Sequence, residues 1–204
     1  MWGDSHAVEL VYALGEIAER RNKSVMQFTY SSCPPSLDMD IRIRPNCRTY
    51  NDKLVRFLAE DRDIRTVFLI SRYENYRWDA AKFSAGIRKS VAALLKAGKR
   101  VVLVYPIPTT SVSVPRTLAR YAASGTDLNS LTIDEAAYLR RNSYAFQLLD
   151  SFTEANVVHV FPHKQLCRHD ACLVYANGAP LYFDQQHLNV NGAEYLAPLF
   201  EPLF

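Results

Sequence analysis

No stretch of this sequence approaches the ~20 consecutive apolar residues that a membrane-spanning helix requires. The most apolar segment, Val101 to Ile107, has the length and composition of a buried strand. A signal peptide is missing as well, because Met-Trp is followed at once by Gly-Asp-Ser-His with no apolar core region. Neither sign of charge dominates: 24 Lys and Arg face 21 Asp and Glu, a net charge of +3. The basic residues are scattered, and the pairs Arg20-Arg21 and Arg140-Arg141 fall on solvated helical faces, so nothing marks a nucleic-acid partner. Repeats, low-complexity tracts and linkers are also lacking. The 204 residues, 49% of them apolar, suffice for one domain spanning residues 1–204 with a sizeable core. On these absences alone the chain would be placed in the cytoplasm.

The cysteines point elsewhere. There are four, in two local pairs, Cys33 with Cys47 and Cys167 with Cys172. Each pair closes a short loop, SSCPPSLDMDIRIRPNC or LCRHDAC. An even count in loop-bounded pairs fits disulfides formed in an oxidising compartment, and of the three connectivities the two local ones are favoured. A zinc site built from His163, Cys167, His169 and Cys172 is the rival, but its H-x3-C-x-H-x2-C spacing matches no common zinc pattern. Four free thiols are the plain alternative.

The hydrophobic pattern alternates short β-branched runs with amphipathic helices. Strands are expected at Ser24–Tyr30, Arg65–Ser71, Arg100–Tyr105 and Asn156–Phe161, with a short one at Leu181–Phe183. Helices are expected at His6–Arg21, Tyr50–Asp61, Asp79–Lys99, from a Thr132-x-x-Glu135 capping box to about Glu154, and near Asn191–Leu199. Strands separated by helices imply an α/β domain with a mostly parallel sheet and right-handed crossovers.

Two short motifs carry chemistry. Gly3-Asp4-Ser5-His6 places a serine on a strand-to-helix turn, where the first N–H groups of a helix suit a developing oxyanion. A serine hydroxyl needs a base, and Asp184-x-x-His187 can supply one, the carboxylate orienting the imidazole from three residues away. Each motif alone also reads blandly: Ser5 and Asp184 as helix caps, His187 as a satisfied interior histidine. Asp4 is expected to tie down its turn by accepting backbone N–H bonds. His159 is expected in the core. Trp78, Tyr73 and Tyr76 offer faces for a sugar ring, with packing as the ordinary alternative.

Taken together, GDSH at the start and YFDQQHLNVNGA near the end resemble the SGNH (GDSL-like) hydrolase superfamily. With SSCPP, Cys47, FLISRYENYRW, LCRHDAC and APLYFDQQHL between and around them, the chain is most similar to the SGNH domain fused to bacterial membrane acyltransferases that O-acylate cell-surface glycans. That resemblance implies a three-layer α/β/α domain with Ser5 as nucleophile, His187 as general base and Asp184 as its orienting acid. Superfamily blocks for the second oxyanion glycine and asparagine are not evident. The places they would occupy fall at Ser32 and the Arg72–Asn75 segment, making Ser5, Ser32 and Asn75 the oxyanion candidates and His6, Arg72 and Tyr73 candidates for lining the substrate site.

The resemblance further implies no metal and no cofactor, the acyl group being delivered by a transmembrane acyltransferase domain of the same parent polypeptide to a glycan acceptor. It implies a periplasmic setting tethered to the inner membrane, in agreement with the cysteines. A free-standing esterase or carbohydrate deacetylase and a non-catalytic remnant are the alternatives. Only Met1 and Trp2 precede the GDSH turn, where a first strand of five or six residues would be usual. The first strand is therefore expected to be largely missing, with a gap in the sheet and membrane spans encoded upstream.

Overall fold

The structure, a computed structural model, describes residues 1–204. The chain forms two compact units. The first comprises residues 1–8, 26–106 and 144–160, the second residues 9–25, 107–143 and 161–204.

The first unit is built on a five-stranded parallel sheet in the order Phe28–Thr29, Trp2–Gly3, Thr66–Ile70, Arg100–Val104, Val157–Val160. TVFLI and RVVLV are buried at four of their five positions, as continuous β-branched and aliphatic runs must be when helices cover a parallel sheet. Helices Cys47–Glu60 and Ala80–Lys96 pack against each other beside it. The second of these ends as its sequence signals, with Gly98 in the left-handed region at φ 75°. The α/β class expected from the alternation of strands and helices is the class observed.

The central strand has only two residues, yet it is paired on both sides, Trp2 with Phe28 and Leu69, Gly3 with Thr29 and Ile70. At this level the expected gap does not occur, because Met1 and Gly3 carbonyls also accept the Phe28 and Tyr30 N–H groups at 2.9 and 3.2 Å. The same shortness explains why Ser24–Tyr30 yields a strand only at Phe28–Thr29. A strand extends only as far as it finds backbone partners. Trp2 is fully buried and its indole donates to Asn51 Oδ1 at 2.9 Å, fastening the strand to helix Cys47–Glu60.

Gly3 is needed for close approach. A Cβ there would lie 1.9 Å from the Ile70 carbonyl oxygen, a backbone atom that cannot move without breaking the sheet. Gly3→Ala is therefore expected to cost more than about 3 kcal/mol, seen as a thermal midpoint lowered by roughly 10 °C or as failure to fold. A midpoint within 2 °C of wild type, on the order of assay scatter, would show that the sheet can spread here.

The second unit contains helices Val11–Arg20, Val114–Ser124 and Val190–Leu196, and a three-stranded antiparallel sheet of Thr132–Asp134, Ala171–Leu173 and Cys167–Arg168. Helix Glu135–Asp150 begins in this unit and ends in the first. Several expectations are corrected here. The helix predicted over His6–Arg21 is two, Ser5–Val8 and Val11–Arg20, interrupted at Glu9-Leu10. Thr132 is not a helix cap, because it pairs with Leu173 in the sheet, and the cap is Asp134, which accepts from Ala137 N–H at 2.5 Å. Leu181–Phe183 makes only a single bridge, Tyr182 to Leu188. Helix Val114–Ser124 was not anticipated, although Pro115 in its first turn and Gly125 just past its end (φ 71°) are the usual start and stop signals.

Both local disulfides are present, Cys33–Cys47 in the first unit and Cys167–Cys172 in the second. The sulfurs of the rival zinc set are thus bonded to each other and unavailable as thiolate ligands.

Candidate active site

The Gly3-Asp4-Ser5 turn leaves the carboxyl end of the central strand, and Ser5 is the first residue of helix Ser5–Val8. Its conformation is set by Asp4, which is 1% exposed. One carboxylate oxygen accepts from His6 N–H at 3.0 Å. The other accepts from Ser71 Oγ at 2.8 Å, Arg72 N–H at 3.0 Å and Tyr76 Oη at 2.8 Å. Burial pushes the Asp4 carboxyl above its ordinary pKa, against the opposing pull of these four donors. The expected backbone bonds are there. Ser71 and Tyr76 go beyond them, joining the turn to the end of strand Thr66–Ile70 and to the 3-10 helix Tyr73–Asp79. No spacing in the sequence signals that junction, since it forms only when adjacent parallel strands end side by side.

Ser5 itself is half-buried. Ser32 sits in a tight turn with φ 58°, and Asn75 is exposed on the 3-10 helix. Both line one groove of about 420 Å³, together with Ile41, Arg42, Ile43, Tyr76 and Trp78. The groove brings two of the three oxyanion candidates, Ser32 and Asn75, to a common space. Arg72 is partly exposed, with its guanidinium on Glu74 at 2.8 Å and its N–H on Asp4.

Two candidates for substrate lining have little or no exposed surface. Tyr73 is fully buried, edge-on to Phe83, and its carbonyl accepts from Tyr144 Oη. A side chain with no exposed surface belongs to the core. His6 is likewise buried, in the first turn of its helix. His159 is half-buried on the last strand of the sheet, with Nδ1 3.2 Å from Tyr105 Oη, which donates to Asp150 at 2.5 Å.

In the second unit, Asp184 and His187 form a closed turn. Asp184 Oδ2 lies 2.7 Å from His187 Nδ1, while Oδ1 accepts the N–H groups of Gln186 and His187 at 2.7 Å each. Burial alone would raise the Asp184 carboxyl. The His187 ring and the two N–H donors outweigh it and hold the group below the ordinary carboxylate value. An ionised Asp184 on Nδ1 fixes the tautomer with Nε2 as the basic nitrogen.

The backbone around this pair is tied at several points. Asp184 and Gln185 carbonyls accept from Val114 N–H at 3.2 Å and Thr110 N–H at 2.9 Å. Leu188 N–H donates to Glu9 Oε2 at 2.9 Å, a support that sequence reasoning missed. Asn189 caps helix Val190–Leu196 through Gly192 N–H at 3.0 Å. A Cβ at Gly192 would lie 2.1 Å from the Leu181 carbonyl oxygen, which explains the small residue in N-V-N-G-A. Phe183 is exposed, its ring 5.9 Å from the imidazole.

The parallel sheet carries a Gly-Asp-Ser turn after its central strand, and a bonded Asp-x-x-His pair lies in the second unit, in a chain of the α/β class. The chain belongs to the family of SGNH domains fused to AT3 domains, whose sequence model matches residues 1–202. Four solved chains match significantly. One is the periplasmic domain of a lipopolysaccharide acetyltransferase from Salmonella ser. Paratyphi A, 18% identical, with a TM-score of 0.78, aligned over 100% of this chain and 81% of that one. That likeness concerns the fold. No curated protein sequence matches at a significant level. No helix is long and apolar enough to cross a membrane.

Proposed function

We propose that this chain is the acyl-transferring domain of an extracytoplasmic O-acyltransferase, working with a transmembrane AT3 partner in the same parent polypeptide and acting on a cell-surface glycan. The observation that carries the reading is the Asp184–His187 pair, bonded at 2.7 Å in a chain of this family. That the fold neighbour is the periplasmic domain of a lipopolysaccharide acetyltransferase supports acetyl as the group.

In the proposed reaction, Ser5 Oγ attacks the carbonyl carbon of an activated acyl donor supplied by the membrane partner, and His187 Nε2 takes the hydroxyl proton. The carbonyl oxygen becomes an oxyanion, held by the Ser5 backbone N–H with Ser32 and Asn75 as further donors. Collapse of the tetrahedral adduct expels the donor's leaving group, which receives the proton from His187, and leaves acyl-Ser5. A glycan hydroxyl then gives its proton to His187 as its oxygen attacks the acyl carbon. The second collapse returns that proton to Ser5 and releases the glycan ester. No metal or redox cofactor enters this sequence of steps.

The test is to supply an activated acetyl ester with and without acceptor polysaccharide. An acetyl group on the peptide carrying Ser5, discharged faster when polysaccharide is present, is the expected result. Discharge to water at a rate no acceptor changes would make the domain an esterase, and the absence of any acyl-enzyme would make it a non-catalytic module.

A further inference from the structure

We propose that the groove between the disulfide loop and the 3-10 helix of the first unit is the seat of an acceptor sugar ring, with Trp78 as its stacking platform and Arg42 as its polar anchor. The proposal rests on the acyltransferase reading above. It starts from side chains the fold does not use. Trp78 is 64% exposed and has no aromatic partner. Arg42 is exposed and forms no hydrogen bond or ion pair, unlike Arg44 in the same loop and Arg48 at the start of the following helix, which are engaged by Ser31 and Asp38. The side chains of Ser32 and Asn75 also make no internal hydrogen bond, and all four residues line the one groove of about 420 Å³.

An apolar aromatic face beside planar and hydroxyl donors is what a pyranose presents a need for: its C–H face packs on the ring while its rim hydroxyls take hydrogen bonds. Ile41 and Ile43 complete an apolar wall, Ile43 at 61% exposure.

The loop that forms one wall of the groove is tied at several points. It is closed by Cys33–Cys47 and clamped to helix Ala80–Lys96 by Lys89 on Asp38 at 2.5 Å and Lys82 on Asp40 at 3.2 Å. Gly86 lets the loop lie directly on that helix, since a Cβ there would meet Ser36 Oγ at 2.0 Å. A preformed site loses little entropy on binding.

Position argues for the acceptor over an unrelated ligand. Tyr76 lines the groove and donates to Asp4, the residue directly before Ser5. Ser32 and Asn75 are the oxyanion donors proposed above, so a ring seated on Trp78 would present a hydroxyl on the side where the acyl carbonyl is held.

The experiment is a fluorescence titration. Of the two tryptophans, Trp2 is fully buried, so a ligand-induced change reports Trp78. Oligosaccharides released from the surface polysaccharide of the source organism are the probe. A saturable blue shift is expected, absent in Trp78→Ala, weakened roughly tenfold in Arg42→Ala and largely retained in Trp78→Phe when binding is followed by calorimetry. In the transfer assay Trp78→Ala should raise the acceptor KM by about tenfold while acetylation of Ser5 by the activated ester stays within about twofold. Normal acetylation of Ser5 with no spectral response to the oligosaccharides would overturn the groove assignment and leave the enzyme reading intact. A normal spectral response without any acyl-enzyme would uphold the groove and remove the transferase.

Discussion

With Ser5 replaced by alanine, acetylation of the chain by an activated ester is expected to disappear, and turnover to fall by at least about 10³-fold. The effect is large because the hydroxyl is the only group of that turn that the proposed steps bond to the acyl carbon. Fold should be spared. Ser5 is half-buried, and the four donors on Asp4 that shape the turn do not include its hydroxyl. The thermal midpoint is therefore expected within about 3 °C of wild type. Mass spectrometry of the acetylated digest reads the first quantity and a melting curve the second. An acetyl group persisting on Ser5→Ala would place the nucleophile elsewhere and end the proposed mechanism.

The next largest effect is expected from Asp184→Asn, a fall in turnover of about 10² to 10⁴-fold. Asparagine keeps an oxygen for the Gln186 and His187 N–H groups, so the turn should survive. What changes is the partner of Nδ1. An amide that offers its NH₂ to that nitrogen makes it an acceptor and moves the ring proton to Nε2, where a base is needed. The imidazolium formed during attack also loses its counter-charge. Steady-state kinetics with an activated ester measures the fall, and NMR of the imidazole nitrogens should show the exchanged tautomer. Activity within a few-fold of wild type would mean that His187 does its work without Asp184.

Much of this was legible in the chain itself, for identifiable reasons. TVFLI and RVVLV announce buried parallel strands because a strand covered on both faces can hold only apolar residues. The Asp184–His187 pair is legible because three residues of separation within one turn is short enough for local geometry to decide the contact. The two disulfides are legible for the same reason, each closing a short loop. Where partners are distant in sequence the reading weakened. Ser24–Tyr30 has strand composition throughout, but only Phe28–Thr29 finds a partner, since Trp2–Gly3 is all that lies beside it. Tyr73 and Trp78 sit five residues apart in the same aromatic segment with similar chemistry, and only packing against Phe83 sends one to the core while the other stays exposed.

From its residues alone, then, this chain determined its α/β class, its family motifs and the local Asp-x-x-His turn, and favoured the local cysteine pairs, all of which depend on periodicity or on contacts within a short stretch of chain. Only the tertiary structure decided which side chains stand together at the carboxyl ends of the strands: Asp4 with Ser71 and Tyr76, Trp78 with Arg42 across a groove. Those meetings join residues 36 to 72 positions apart. They exist because strands that are remote in the sequence lie side by side in a parallel sheet, and a one-dimensional pattern carries no record of which loops such a sheet will bring into contact.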